Sequence, residues 1–209
     1  MSPLHAEETA IWLAENAKVS SAGILIPDDV GAFNLEMTDA TGVTIGEKPP
    51  GGGDAKSLVF SGDQTSVFRS VIPFPSVVGT LKVELDAMIP IEADVEDATI
   101  LRYSSQWEVR FIASRPAIAL IVWHDSNIFT QVNVPIEYDK WSTITAEYTG
   151  EELIVTADGV TERLAAKDVI YQSAGEAHLI LGASSTKLMD NIVPRLLKGS
   201  LANIRVTAE

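Results

Sequence analysis

The chain has 209 residues, no cysteine, and 15 basic against 29 acidic side chains, a formal charge of −14. Without thiols, disulfides, thiolate zinc sites and cysteine nucleophiles are excluded. The acidic balance, with no Lys/Arg run to interrupt it, argues against nucleic acid and anionic membranes as partners.

A hydrophobic fraction of 46% is ordinary for a globular protein, and the length suits one all-β domain with a substantial core. The start, "MSPLHAEETA", reads without the basic and apolar regions of a secretion signal, as a mature fragment with an added Met also would. The longest apolar run, "AIALIVW" (117–123), is far short of a membrane span, so no membrane insertion is expected.

In chain order, "AIWLAENAK" (10–18) reads as an edge strand, with a short helix as the alternative. "EKPPGGGDAK" (47–56) is a loop by composition, and without a following Lys-Ser/Thr its "PPGGGD" is no phosphate loop. Strand-like runs with turns between them then recur: "SLVFSG", "GTLKVELDAMIPI", "ATILRYS", "QWEVRFIAS", "AIALIVWHD" and "TQVNVPI". The clearest alternation sets Leu81, Val83, Leu85, Ala87 and Ile89 against Lys82, Glu84, Asp86 and Met88. Residues 117–123 are apolar at both parities, which predicts a central strand covered on both faces.

Residues 138–164 predict a three-strand meander. Ile144, Ala146 and Tyr148 alternate before Thr149-Gly150, Leu153, Val155 and Ala157 alternate after it, and Asp158-Gly159 supplies a two-residue hairpin turn. Trp141, opening this segment, is expected in the core, as is Trp107, which alternates with Val109 and Phe111. "TERLAAKD" (161–168) and "STKLMDNIVPRLL" (185–197) read as places for a helical turn. "AHLILGA" and "GSLANIRVTAE" close the series. The pattern predicts an all-β, two-sheet antiparallel β-sandwich of jelly-roll type, a single domain over 1–209.

Few side chains suggest chemistry. Glu84 and Asp86 share one strand face because residues two apart point the same way. His5, His124 and His178 are scattered without ligand spacing, and no Ser-His-Asp order stands out. Trp123, His124 and Asp125, helped by Glu108 and Arg110, contain what a sugar platform needs: an aromatic face and polar groups to fix hydroxyls. Strand alternation lets only Trp123 with Asp125, or His124 alone, share a surface; the competing reading packs Trp123 as structure.

A Trp-led strand at Trp141, "EYTGEELIVTADG", "LILGAS" and "LLKGSLANIRV" together resemble the LamG-like jelly roll of the concanavalin A-like lectin/glucanase superfamily. "LVFSGDQTSV" resembles that family's early Phe-x-Gly strand and "GTLKVELDAMI" the next. The resemblance covers 57–209 well and residues 1–56 only loosely. It implies a sandwich with one sheet curved into a concave face, and functions ranging from secreted carbohydrate-binding modules and adhesion domains to glycan hydrolases or lyases; fold alone does not choose among these. Related jelly-roll glucanases carry Glu-x-Asp-x-x-Glu or Glu-x-Asp-x-Glu, and here the third position is Ile89 or Met88. For cofactors, the resemblance implies Ca²⁺ at Asp63 and Asn203, with Asp28, Asp29 or Asp39 compensating for an Asn where the family has Asp. The competing reading is an Asn203 that only satisfies local groups.

The leading expectation is a non-catalytic binding domain, for carbohydrate or a protein partner, in the extracellular space or cell envelope. Two alternatives stay open. One is a polysaccharide-acting enzyme using Glu84, Asp86 and Glu108. The other is a structural interaction domain whose concave face is filled by loop 184–198.

Overall fold

A computed structural model describes residues 7–37, 40–47, 56–63, 65–77, 79–93, 96–103, 106–124, 128–167, 170, 177–184 and 195–209. The strands in chain order are β1 (Glu8–Trp12), β2 (Lys18–Ser20), β3 (Gly23–Ile26), β4 (Leu35–Met37), β5 (Val43–Gly46), β6 (Ser57–Ser61), β7 (Phe68–Ser70) and β8 (Leu81–Met88). They continue with β9 (Ala98–Tyr103), β10 (Trp107–Ile112), β11 (Ala117–Trp123), β12 (Phe129–Pro135), β13 (Trp141–Tyr148), β14 (Glu152–Ala157), β15 (Val160–Ala165), β16 (Leu179–Leu181) and β17 (Lys198–Ala208). Short 3-10 turns at Ala14–Asn16, Ala40–Gly42 and Ile91–Ala93 are the helical elements among the described residues.

The strands form an antiparallel sandwich. Sheet A runs β15-β14-β13-β8-β17-β6-β5, with β1 also on β17; sheet B runs β12-β11-β10-β9-β16-β7-β4-β3-β2. Period-two patterning explains which faces meet. In β8, Leu81, Val83, Leu85 and Ala87 are each at most 2% exposed and face sheet B. In β10, Trp107, Val109 and Phe111 face back at 0%. Each buried branched or aromatic side chain stabilises the sandwich by about 1.5–3 kcal/mol relative to exposure.

β11 is covered on both sides, as its unbroken apolar run predicts. Ile118, Leu120 and Val122 join the main core, while Ala117, Ala119 and Ile121 form a second, smaller cluster with Ile112 on the outer face. The meander is β13-β14-β15, and Asp158 (φ 49°) and Gly159 (φ 86°) fill its two-residue turn. Both central residues there need positive φ, which Asp tolerates and Gly accepts without strain.

β17 is the axis of sheet A. Its first half pairs β6, its second half pairs β1, and β8 lies along its other side. From Ala202 to Arg205 it takes three steps where β8 takes two, Asp86 to Glu84. That β-bulge holds Asn203 at φ 52°, a left-handed conformation to which Asn is better suited than most residues.

Two expectations are corrected. Trp141 is half-buried and points away from the core, because the inward residues of β13 are Ser142, Ile144, Ala146 and Tyr148. "TERLAAKD" begins as strand, β15 running to Ala165 opposite Glu152. The loosely patterned N-terminal part supplies five strands, β2, β3 and β4 forming one end of sheet B, and "AIWLAENAK" contains both a strand and a 3-10 turn. Of the segment 185–197, only 195–197 belongs to the described residues.

Candidate functional site on the outer face of sheet B

The carboxylates of β8 lie on the outer face of sheet A, sharing a face as the strand period requires. Glu84 pairs with Lys82 (2.7 Å) and Arg205 (3.9 Å). Asp86 accepts from the Thr143 hydroxyl (2.7 Å) and from the Asn203 side-chain amide. Glu108, flanked by inward Trp107 and Val109, faces outward from sheet B. Two packed sheets therefore separate Glu108 from Glu84 and Asp86. The three do not form the acidic cluster that a hydrolase reading needs.

Glu108 instead centres a buried charge network. Its side chain is 0% exposed and takes two hydrogen bonds from Arg110, Nε to Oε1 at 2.8 Å and Nη2 to Oε2 at 2.9 Å. The Thr99 hydroxyl donates to Oε1 at 2.6 Å, and the Arg195 guanidinium lies 3.6 Å from Oε2. Burial pushes this carboxyl up, but Arg110, Arg195 and Thr99 together outweigh burial and hold it below the usual range. The β9–β10 register sets Arg102 directly opposite Glu108. Arg102 donates to the Ser184 carbonyl (2.8 Å) and lies 5.5 Å over the Trp123 ring.

Beside this network is an apolar rim. Trp123 closes β11, packs on the Ile112–Ala117–Ala119–Ile121 cluster and faces outward. Phe129 pairs with it across the β11–β12 ladder, ring centroids 6.4 Å apart, and is 52% exposed; Ile128 is 58% exposed. His124 bonds the Thr130 side chain and lies on the opposite face from Trp123, as alternation requires. Asp125, His5 and Asp39 lie outside the described residues. Gln131 and Asn133 carry the outer face onto edge strand β12, Arg115 donating to Asn133 at 2.9 Å.

The residues expected to hold Ca²⁺ are not brought together. Lys198 pairs with Ser61 and Leu201 with Leu58, so Asn203 lies five strand steps, roughly 16 Å, beyond the level of Ser61. Asp63 sits past Ser61 in the other direction. It accepts from Ser61 (2.6 Å) and Thr65 (2.6 Å), and these bonds hold its carboxyl below the usual range. Asp28 accepts the N–H groups of Ile11, Val30 and Phe33, and Asp29 binds Asn16. Among the described residues, no three acidic or His side chains converge for a metal.

A cleft of 170 Å³ opens elsewhere, lined by Ser61, Gly62, Glu92, Glu96 and Lys198 among others. It has no aromatic wall on which a sugar ring could stack. Arg102, Arg195, Thr99 and Phe129 were missed in the sequence. The ladder, rather than any motif, brings them to Trp123 and Glu108.

No helix among the described residues is long and apolar enough to cross a membrane. No family model matches the chain, and no curated protein matches it. Solved structures do share its fold. The receptor-binding domain of botulinum neurotoxin D superposes with a TM-score of 0.62 at 12% identity, over 97% of this chain and 49% of that one. A type C structure, titled for that toxin's dependence on two ganglioside molecules, gives 0.56 at 10%, over 94% and 49%. The neurotoxin DC binding domain in complex with rat synaptotagmin II gives 0.57 at 10%, over 94% and 49%. The chain thus spans about half the length of the structures it resembles. At these identities, the likeness establishes the two-sheet β-sandwich alone.

Proposed function

We propose that the chain is a non-catalytic binding domain, for carbohydrate or a protein partner, acting outside the cytoplasm. The observation that carries this reading is the rim at the β11–β12 end of sheet B. There Ile128 and Phe129, 58% and 52% exposed, stand beside Trp123 and Arg102. Contiguous exposed apolar side chains mark interaction sites, and aromatic and Arg side chains carry most of the energy at such sites. Aromatic rings also suit the apolar faces of sugars. The LamG-like resemblance supports the same class and is the basis for placing the protein outside the cytoplasm. The paired state of Glu84, Asp86 and Glu108 favours binding over hydrolysis.

A specific observation also favours a second reading. Arg195, just before β17, lies 3.6 Å from Glu108 on the outer face, as a structural interaction domain with a filled face requires. A melting-temperature screen of diverse polysaccharides against the wild type and Phe129→Ala separates the readings. Phe129 is half exposed, so its truncation, which removes the contact with the Trp123 ring, should cost only about 1 kcal/mol. The binding reading expects a polysaccharide that raises the wild-type Tm and leaves the variant's unchanged. A screen without any shift removes the carbohydrate branch and leaves the protein-partner branch and the filled face. Release of reducing sugar that disappears in Glu84→Gln establishes an enzyme.

A further inference from the structure

The protein is acidic, yet its arginines are gathered. Of seven in the chain, Arg69, Arg102 and Arg110 lie at outward register positions of sheet B, and Arg195 reaches the same face. The register gives one cross-strand row: Glu36, Arg69, Ile180, Arg102, Glu108, Ile121 and Gln131. Around Glu108 the count is uneven. Arg102, Arg110 and Arg195 surround one fully buried carboxylate, and Arg110 already takes both its oxygens in a fork. Asp97 acts on Arg195 more weakly than Glu108 does.

Two of the cations are left incompletely matched among the described residues. Arg102 has a backbone carbonyl, not a carboxylate, as its hydrogen-bond acceptor. Arg195 Nε is buried without a hydrogen-bond partner, and its carboxylate contact is long, at 3.6 Å. Burial pushes the pKa of both guanidinium groups down. Holding partly desolvated cations in excess of their counter-charges costs free energy, which an arriving anion offsets. Guanidinium is suited to that task because its planar fork matches carboxylate and sulfate oxygens.

Building on the binding reading above, we propose that the Arg102–Arg195 region of sheet B, beside Trp123 and Phe129, binds the acidic group of an anionic saccharide. The guanidinium donors left over by Glu108 take the carboxylate or sulfate, and the aromatic rim takes the apolar face of the sugar. A protein of formal charge −14 repels polyanions elsewhere on its surface, so such binding is local to this face.

Calorimetric titration tests the proposal with three probes: polygalacturonate for carboxylate, dextran sulfate for sulfate, and dextran as the neutral control. Binding of either polyanion, absent with dextran and weakened by added salt, is expected. Arg102→Gln and Arg195→Gln should each weaken it by about tenfold or more, the usual loss for one charge-assisted hydrogen bond. Unchanged near-ultraviolet circular dichroism shows that the variants are folded, and added polyanion should raise the wild-type Tm more than theirs. Which polyanion binds distinguishes carboxylate from sulfate. Polyanion binding equal in the wild type and both variants overturns the proposal. Dextran binding that is lost in Phe129→Ala but kept in both Arg variants also overturns it, while preserving the binding reading. Absence of binding to all three probes overturns it too, leaving the protein-partner branch to be judged separately.

Discussion

Glu108→Gln tests the buried network directly, because it removes one charge while keeping the side chain's shape. Removing one partner of a buried ion pair typically costs about 3–5 kcal/mol. Gln keeps an acceptor for Thr99 or Arg110, and the Arg110 and Arg195 side chains are 12% and 35% exposed. The lower end, about 3 kcal/mol, is therefore expected. For a chain of this size that corresponds to a Tm lower by about 6–12 °C.

The pH dependence gives the test its sign. Glu108 has a depressed folded pKa. Its contribution is fully present above the unfolded value of about 4.3 and is lost as pH falls through the folded value. Calorimetric scans of both proteins should show a wide gap at pH 7 that closes on acidification below about pH 4. A gap under about 2 °C at pH 7, or one that does not narrow with acid, refutes the account of Glu108 as a charged, internally compensated group.

Three further substitutions probe the frame. Trp107→Ala, in a site 0% exposed, should cost about 3–5 kcal/mol in urea unfolding; half-buried Trp141→Ala should cost about 1 kcal/mol, and equal losses would undo the facing assigned to β13. Gly182 has φ 90°, and a Cβ there would meet Phe60 Cε1 and the Ser66 carbonyl at 2.6 Å. Gly182→Ala should therefore lose more than the ~1–2 kcal/mol of left-handed strain alone, and a neutral result by thermal melting would contradict the close approach. Asn203→Leu puts a branched side chain at φ 52° and removes a donor from Asp86. A loss of about 2 kcal/mol or more is expected, and a change below about 0.5 would show that the bulge needs neither feature.

The C-terminal two-thirds of the fold was legible because its signals are local. β8, β11 and the β13–β15 meander each carry a period or a turn within ten residues, and an Asp-Gly turn specifies its own geometry. Apart from β1, whose end falls in "AIWLAENAK", the N-terminal strands were not legible, being three or four residues long. A strand that short shows too few alternations to announce a period. Trp141 illustrates another limit. The rhythm Ile144, Ala146, Tyr148, carried back two residues, lands on Ser142, so the alternation itself placed Trp141 outside. Hydrophobicity of the single side chain argued the other way, and the ladder's geometry prevailed.

The site was harder to see because its parts are neighbours only after pairing. Glu108 and Arg110 are two apart on one strand and were visible together. Arg102 joins them through the β9–β10 register, and Arg195 arrives from beside the last strand. Net charge hid the result further. A total of −14 is a sum over every face, whereas attraction at a contact depends on charges within about a Debye length, near 10 Å at moderate salt. Sheet A's outer face contributes Glu84, Asp86, Glu147 and Glu152 to that sum, while sheet B gathers arginines around a carboxylate that is already neutralised. Exclusion of polyanionic partners from the total charge therefore applies to the surface as a whole, and leaves the Arg102–Arg195 face as the place where an anion meets the opposite field.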